Sequence, residues 1–206
     1  MSLPERIRDA ASYFSMLEQS AVGLQHEQVD LIADLLCRAY EQEKTLYLFG
    51  NGGSASLASH FACDLAKGTW VQANGLKRFR ATALTDNLPI LTAWANDSGY
   101  EDVFAEQFRG IVQSGDIAFA ISCSGNSPNV LKALLVAREA GAINIGLGGF
   151  EGGAMKALCD VCLIVPSDNM QIIEDLHLSV AHCLFTLVRN YITLQASQKV
   201  VAARAS

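Results

Sequence analysis

Two groups of side chains able to move protons or hold a metal interrupt otherwise apolar helical segments. His60 and Asp64 stand four residues apart, so a helix projects both from one face. That spacing suits two metal ligands, or a histidine with the carboxylate that orients it, and equally a plain surface ion pair. Phe61, Ala62 and Leu65 make the segment largely apolar, which counts against the ion pair. Further along, Glu174, Asp175, His177 and His182 break a run of Ile172, Ile173, Leu176, Leu178, Val180 and Leu184. A polar group buried in such a run is costly unless partnered, so each must be paired, turned to water or functional. His182, among Ala181, Cys183 and Leu184, is the most telling of these. His177 lies about 140° around the helix from it, too far for both to serve one site from one chain. It reads as a structural histidine, or one supporting another residue.

Two short loops suggest what such groups would act on. Gly50-Asn51-Gly52-Gly53-Ser54 follows the apolar run Thr45–Phe49, and Ser122-Cys123-Ser124-Gly125-Asn126-Ser127 follows Asp116–Ile121. A strand that turns through glycine into a helix leaves unpaired backbone N–H groups at the helix start, and these attract anions. Serine hydroxyls add donors without adding charge. The first loop lacks the Gly-Lys-Ser/Thr ending of a P-loop, and Ala55 stands where a dinucleotide fingerprint needs its third glycine. Ser54, Ser122, Ser124 and Ser127 are therefore expected to hold the phosphate of a small ligand, the alternative being simple turn capping.

The elements that must position these loops follow from periodicity. Apolar residues at helical spacing predict helices over Pro4–Leu24, with Ile7, Ala11, Phe14 and Leu17 on one stripe, and over His26–Glu43. Short apolar strands are expected at Thr45–Phe49, Arg80–Thr85, Asp116–Ile121, Ala142–Leu147 and Val161–Val165. Helices are expected at Ser54–Lys67, Leu88–Asn96 behind an Asn87 cap, Glu101–Val112 and Pro128–Ala140, with a short one near Gly153–Leu158. Gly68 and Asn74-Gly75 mark an irregular stretch before Phe79, and a long apolar helix closes the chain from about Asn169 to Gln198. Strands alternating with helices imply an α/β fold: a three-layer, doubly wound, mainly parallel five-stranded sheet with ligand loops at the carboxyl strand ends. Residues 1–206 form one domain in this reading, with a helical extension at about 4–43, a sheet core at about 44–166 and the final helix at about 169–198. The extra helices offer packing surface for an oligomer.

Composition narrows the function. Of 206 residues, half are apolar and 17% charged, which provides a core and argues against disorder. A net charge of -6 speaks against a nucleic-acid surface. Lys77, Arg78 and Arg80 form a local basic stretch, read as a solvated loop before a strand. Six cysteines show neither disulfide nor zinc-finger spacing; Cys159 and Cys162 form a C-x-x-C, but within Ala157–Val165, which reads as a buried strand. Such thiols fit a reducing compartment. The N-terminus has no signal pattern and no apolar run reaches membrane-spanning length, so a cytoplasmic protein is expected, without membrane or direct nucleic-acid partners.

The segments FGNGGSASLASHFACDL, ALTDNLPILTAWANDSGYEDVF, GDIAFAISCSGNSPNVLKAL and IIEDLHLSVAH, in that order, resemble the sugar isomerase (SIS) domain family, phosphoheptose isomerase type. The resemblance covers nearly the whole chain up to Tyr191. It implies an enzyme converting sedoheptulose 7-phosphate to D-glycero-D-manno-heptose 7-phosphate through an enediol, working as a homotetramer with active sites between subunits. It implies substrate contacts from Asn51, Gly52, Gly53, Asn96 and Asp97, and a phosphate loop at Ser122, Cys123, Ser124 and Ser127. It also implies a zinc set of His60, Asp64, Glu174 and His182, with Asp64 and His182 as the catalytic pair. Departures are visible. Asp64 stands where the family has glutamate, Glu174 where glutamine is usual, Cys123 where threonine is usual, and Gly68 where arginine is common. The alternatives carried beside this reading are a non-catalytic binding protein resembling the replication-initiator-associating branch of the family, and an isomerase of another phosphosugar.

Overall fold

The computed structural model describes residues 7–70 and 77–205, with side chains placed as far as residue 198. The expected helix start at Pro4 and the Asn74-Gly75 breakers lie outside the described residues. Five strands, β1 (Thr45–Gly50), β2 (Arg80–Ala83), β3 (Ile117–Ile121), β4 (Ile143–Gly148) and β5 (Val161–Ile164), make one parallel sheet in the order β2-β1-β3-β4-β5. Its register sets Leu46 beside Ala81 and Ile117, and Ile117 beside Ile143.

Helices cover both faces, and strand alternation shows how. On one face Leu46, Leu48, Ile117, Phe119 and Ile121 pack against α2 (His26–Glu41), α3 (Gly53–Gly68) and the long α7 (Met170–Ala205), through Ile32, Leu36, Phe61, Leu65, Leu184 and Val188. On the other face Tyr47, Phe49, Ala118 and Ala120 meet α4 (Leu88–Asp97), α5 (Ala105–Ile111) and α6 (Pro128–Glu139) through Leu91, Phe104, Phe108, Val130 and Leu134. Buried strands that are apolar on both faces are what a sheet sandwiched between helix layers requires. The expected three-layer, doubly wound fold is thus the one observed.

Helix starts follow local chemistry. Asn87 accepts a hydrogen bond from the Ile90 N–H at 3.2 Å, and Asn169 accepts from the N–H groups of Gln171 and Ile172. A first helix, α1 (Ala10–Val22), begins with a reciprocal Asp9–Ser12 capping box.

Two expectations need correction. The single helix predicted over Glu101–Val112 is a 3₁₀ turn, Tyr100–Asp102, followed by α5. Glu101 and Asp102 both reach Lys132 of α6, at 3.2 and 3.0 Å, while the following Val103 and Phe104 are buried. A continuous α-helix does not place those consecutive pairs in opposite surroundings as readily as a tight turn does. The short helix expected near Gly153–Leu158 is a 3₁₀ turn, Ala154–Leu158, and the strand expected at Val161–Val165 pairs over Val161–Ile164. The apolar stretch Ala157–Val165 is not the buried strand it reads as, because it lies at the sheet edge. Cys159 and Cys162 are accordingly half-exposed rather than buried. The apolar stripe expected on α1 is covered only in part by this chain: Leu17 packs against the cluster of Ile172, Ile173 and Leu176, while Phe14 remains 65% exposed. No described helix is long and apolar enough to cross a membrane.

Candidate active site

Strand order reverses between β1 and β3: the helix after β1 packs on one face of the sheet and the helix after β3 on the other. A crevice opens at the carboxyl ends of two such strands, and both glycine-serine loops border it. The first loop turns through Gly52, whose φ of +56° is left-handed backbone that a side chain resists. Gly53 opens α3, and a Cβ there would lie within 2.8–2.9 Å of the Glu174 carboxylate. In the second loop the Ser122 hydroxyl accepts from the Gly125 N–H at 3.2 Å, and the Ser124 hydroxyl from the Asn126 N–H at 3.3 Å. Ser127 occupies the cap position of α6 without its hydroxyl bonding the helix, which leaves that hydroxyl for a ligand.

These loops enclose a pocket of about 140 Å³ lined by Asn51, Ser54, Ile121, Ser122, Cys123, Ser124, Ser127, Met170 and Glu174. All four serines expected to cradle a phosphate are thereby brought together. The Cys123 thiol is buried, and its pKa is pushed up to about 11, first by that burial and then by the charge of Glu174. It is a neutral wall of the pocket, not a nucleophile.

Sequence reasoning passed over what holds the two loops in register. Asn51 and buried Asn129 exchange two amide hydrogen bonds of 2.9 Å, and the Tyr100 hydroxyl donates to Asn51 at 2.9 Å. Only the placement of Asn129 directly after Pro128 hinted that this helix start had a task. Asn96 and Asp97 are not in the pocket lining; they end α4, where the Asn96 amide donates to Asp97 at 2.8 Å.

The proton-carrying groups lie farther along the seam between α3 and α7. Gly53 meets Glu174, His60 meets His182 and Gly68 meets Phe185, in the same order along both helices, so the two run side by side in one direction. His60 Nε2 is 3.0 Å from His182 Nε2 and 3.3 Å from Asp64 Oδ2, and His182 Nε2 is 4.0 Å from the same oxygen. Both imidazoles are about half-exposed and the carboxylate less so.

The donor set can be tested against a metal. Ligands bonded tetrahedrally to zinc sit roughly 3.3 Å from one another, given bond lengths near 2.0–2.1 Å. The observed separations of 3.0, 3.3 and 4.0 Å straddle that value, and two imidazole nitrogens with one carboxylate oxygen are zinc donors. His60, Asp64 and His182 therefore fit the ion. Glu174, expected as a fourth ligand, is not in this group within one chain. Eight residues of continuous helix, roughly 12 Å of rise, separate it from His182.

The remaining polar residues of α7 find ordinary partners. Asp175 accepts from the Tyr13 hydroxyl at 2.6 Å, tying α7 to α1. His177 is buried, and its Nε2 lies 3.0 Å from the Gly148 carbonyl, so that nitrogen carries the proton. Burial pushes its pKa down to about 4. Gly68, where the resemblance leads one to look for arginine, has no room for a side chain: a Cβ would fall 2.5 Å from the Phe185 ring.

Comparison with known proteins agrees with this geometry. Residues 11–149 match the SIS domain family. The chain is 37% identical over 186 residues to a phosphoheptose isomerase of Trichlorobacter lovleyi, covering 90% of this chain and 91% of that one. It is 40% identical over 175 residues to a phosphoheptose isomerase of Helicobacter pylori, covering 85% and 89%. Among solved structures, a phosphoheptose isomerase from Neisseria gonorrhoeae superimposes with a TM-score of 0.80 at 31% identity, over 87% of this chain and 96% of that one. With the serine cradle at the strand switch point and the carboxylate–imidazole cluster on the α3–α7 seam, the chain belongs to the SIS domain family and, within it, to the phosphoheptose isomerases.

Proposed function

We propose that this protein interconverts sedoheptulose 7-phosphate and D-glycero-D-manno-heptose 7-phosphate, with the phosphate in the serine cradle and the carbonyl end at Asp64 and His182. The observation that carries this reading is the spacing of the two subsites along one seam. Ser54 and His60 are six residues apart on α3, roughly 9 Å of rise, and Glu174 and His182 are roughly 12 Å apart on α7. An extended seven-carbon chain with its phosphate is about that long, whereas a pentose phosphate is shorter. Cradle contacts made far from the reacting carbons supply binding energy that orients those carbons.

Asp64 presents Oδ2 to the two histidines, which leaves Oδ1 to take the carbon-bound proton beside the carbonyl. His182 directs Nε2 at His60, so Nδ1 is the ring atom left to exchange a proton with the substrate oxygen. Returning the proton to the neighbouring carbon of the enediol completes the aldose. His60, Asp64 and His182 would hold zinc, whose chemistry here is Lewis-acid polarisation of a carbonyl oxygen.

The working unit we propose is a cytoplasmic homotetramer in which the whole chain acts as one SIS unit. Free thiols support the reducing compartment, and exposed apolar side chains on α1 and α7, Phe14 and Leu194 at 65% and 64%, support the assembly. Incubating the purified protein with sedoheptulose 7-phosphate, with and without zinc, and following the aldose by NMR tests the reading. Formation of the heptose phosphate is expected. No turnover in either condition, with parallel pentose and hexose phosphates also inert, would instead favour a non-catalytic phosphosugar-binding role.

A further inference from the structure

We propose that Glu174 is a specificity-determining residue that guards the serine cradle, refusing a bare phosphate ion and admitting a phosphoryl group only when it arrives on a hydroxyl-bearing chain. The proposal rests on the cradle being the phosphosugar site argued above.

The cradle is unusual for an anion pocket in the company its donors keep. Among the described residues no lysine or arginine lines it, and the one acidic side chain in the lining is Glu174. That carboxylate sits over the first turn of α3, with Cδ and both oxygens 2.8–2.9 Å from the point a Gly53 Cβ would occupy. A helix N-terminus is where an anion is favoured, so Glu174 holds the place that a ligand anion would seek. It is half-buried, and among the described residues it has no hydrogen-bond or ion-pair partner. Its charge is felt across the pocket, since it raises the Cys123 thiol together with burial.

Two consequences follow from elementary electrostatics. A phosphate ion entering the pocket is repelled by a charge a few ångströms away in a partly desolvated site, a penalty worth about tenfold or more in affinity. The same unpartnered oxygens accept hydrogen bonds from alcohols, and bonds to an ionised acceptor are among the stronger ones. A sugar phosphate whose chain hydroxyls reach Glu174 offsets the repulsion, whereas inorganic phosphate has nothing to offer. The guard thus favours a phosphoryl group carried on a hydroxyl-bearing chain over the free ion.

The test compares inorganic phosphate with sedoheptulose 7-phosphate by isothermal titration on the wild type and on Glu174→Gln, which keeps shape and one acceptor but removes the charge. Glu174→Gln should bind inorganic phosphate about tenfold tighter or better, so that the preference for the sugar phosphate narrows by a similar factor. An unchanged or weaker phosphate affinity, or none detectable in either protein, overturns the guard. A second measurement needs no variant. Inorganic phosphate should inhibit the wild type with a Ki at least about tenfold above the KM for the heptose phosphate, and a Ki equal to that KM also overturns it. If the wild type neither binds nor converts the heptose phosphate while Glu174→Gln still gains phosphate affinity, the guard stands and the substrate reading falls.

Discussion

Asp64 has one methylene fewer than the glutamate that the family resemblance leads one to look for, yet its Oδ2 still reaches both histidines, at 3.3 and 4.0 Å. The shortened side chain has consequences for its other oxygen, which has to approach the substrate, and a misplacement of about 1 Å in a reacting group costs on the order of a hundredfold in rate. Asp64→Glu should therefore raise kcat for heptose isomerisation, while Asp64→Asn should lower it by at least about a hundredfold, the usual contribution of a positioned acid or base. Steady-state assays of both variants check this, with KM expected to move little because the proposed phosphate cradle lies elsewhere. Asn129 makes a separate prediction. Its amide pairs with Asn51 across the two loops at 2.9 Å, so Asn129→Leu should raise KM several-fold and lower the melting temperature, since it leaves the Asn51 amide short of a partner.

At the scale of elements, the site exists because α7 lies along α3 in one register, and one contact within that seam and one to the sheet fix α7 in place. Gly68 accepts the edge of Phe185, so Gly68→Ala drives a methyl against the ring and should cost about 1–3 kcal/mol in denaturant unfolding. His177 pins α7 to the end of β4 through the Gly148 carbonyl. Its folded pKa, near 4, lies below the ordinary 6.5, so the unfolded chain takes up the proton first as pH falls. Stability is then unaffected above pH 6.5, declines between 6.5 and 4, and levels off below, by roughly 3 kcal/mol in all from this group. Urea midpoints at pH 7 and 4.5 should show this loss in the wild type and a flatter profile in His177→Asn.

For the whole molecule, the apolar side chains of α1 and α7 that face water in one chain set the expectation. Phe14 and Leu187 line one groove, and Leu194 lies two turns beyond Leu187 on the same face of α7, a grouping that scattered surface leucines do not explain. Light scattering of the wild type should give four times the chain mass of 22.1 kDa, and Phe14→Glu should shift it toward smaller species. Loss of activity on that shift would show that the seam is finished by a neighbouring subunit.

Much of this was legible in the residue order. Strand and helix positions, the layered parallel sheet and the two glycine-serine loops all follow from apolar period and glycine placement, which are local properties. The pairing of His60 with Asp64 is likewise a helical spacing, and the 140° between His177 and His182 already separated a buried histidine from an exposed one. Tertiary structure decided the rest, because it concerns which distant segments touch. It brought His182 to His60 from 122 residues away, left Glu174 with the serines instead of the histidines, and locked Asn51 to Asn129 across a crevice that neither loop shows alone. It also broke the helix expected at Glu101–Val112 and moved the Cys159–Cys162 stretch to a sheet edge, where burial depends on neighbours rather than on hydropathy. Periodicity reports the face a residue shares with its own element; only packing reports what that face meets.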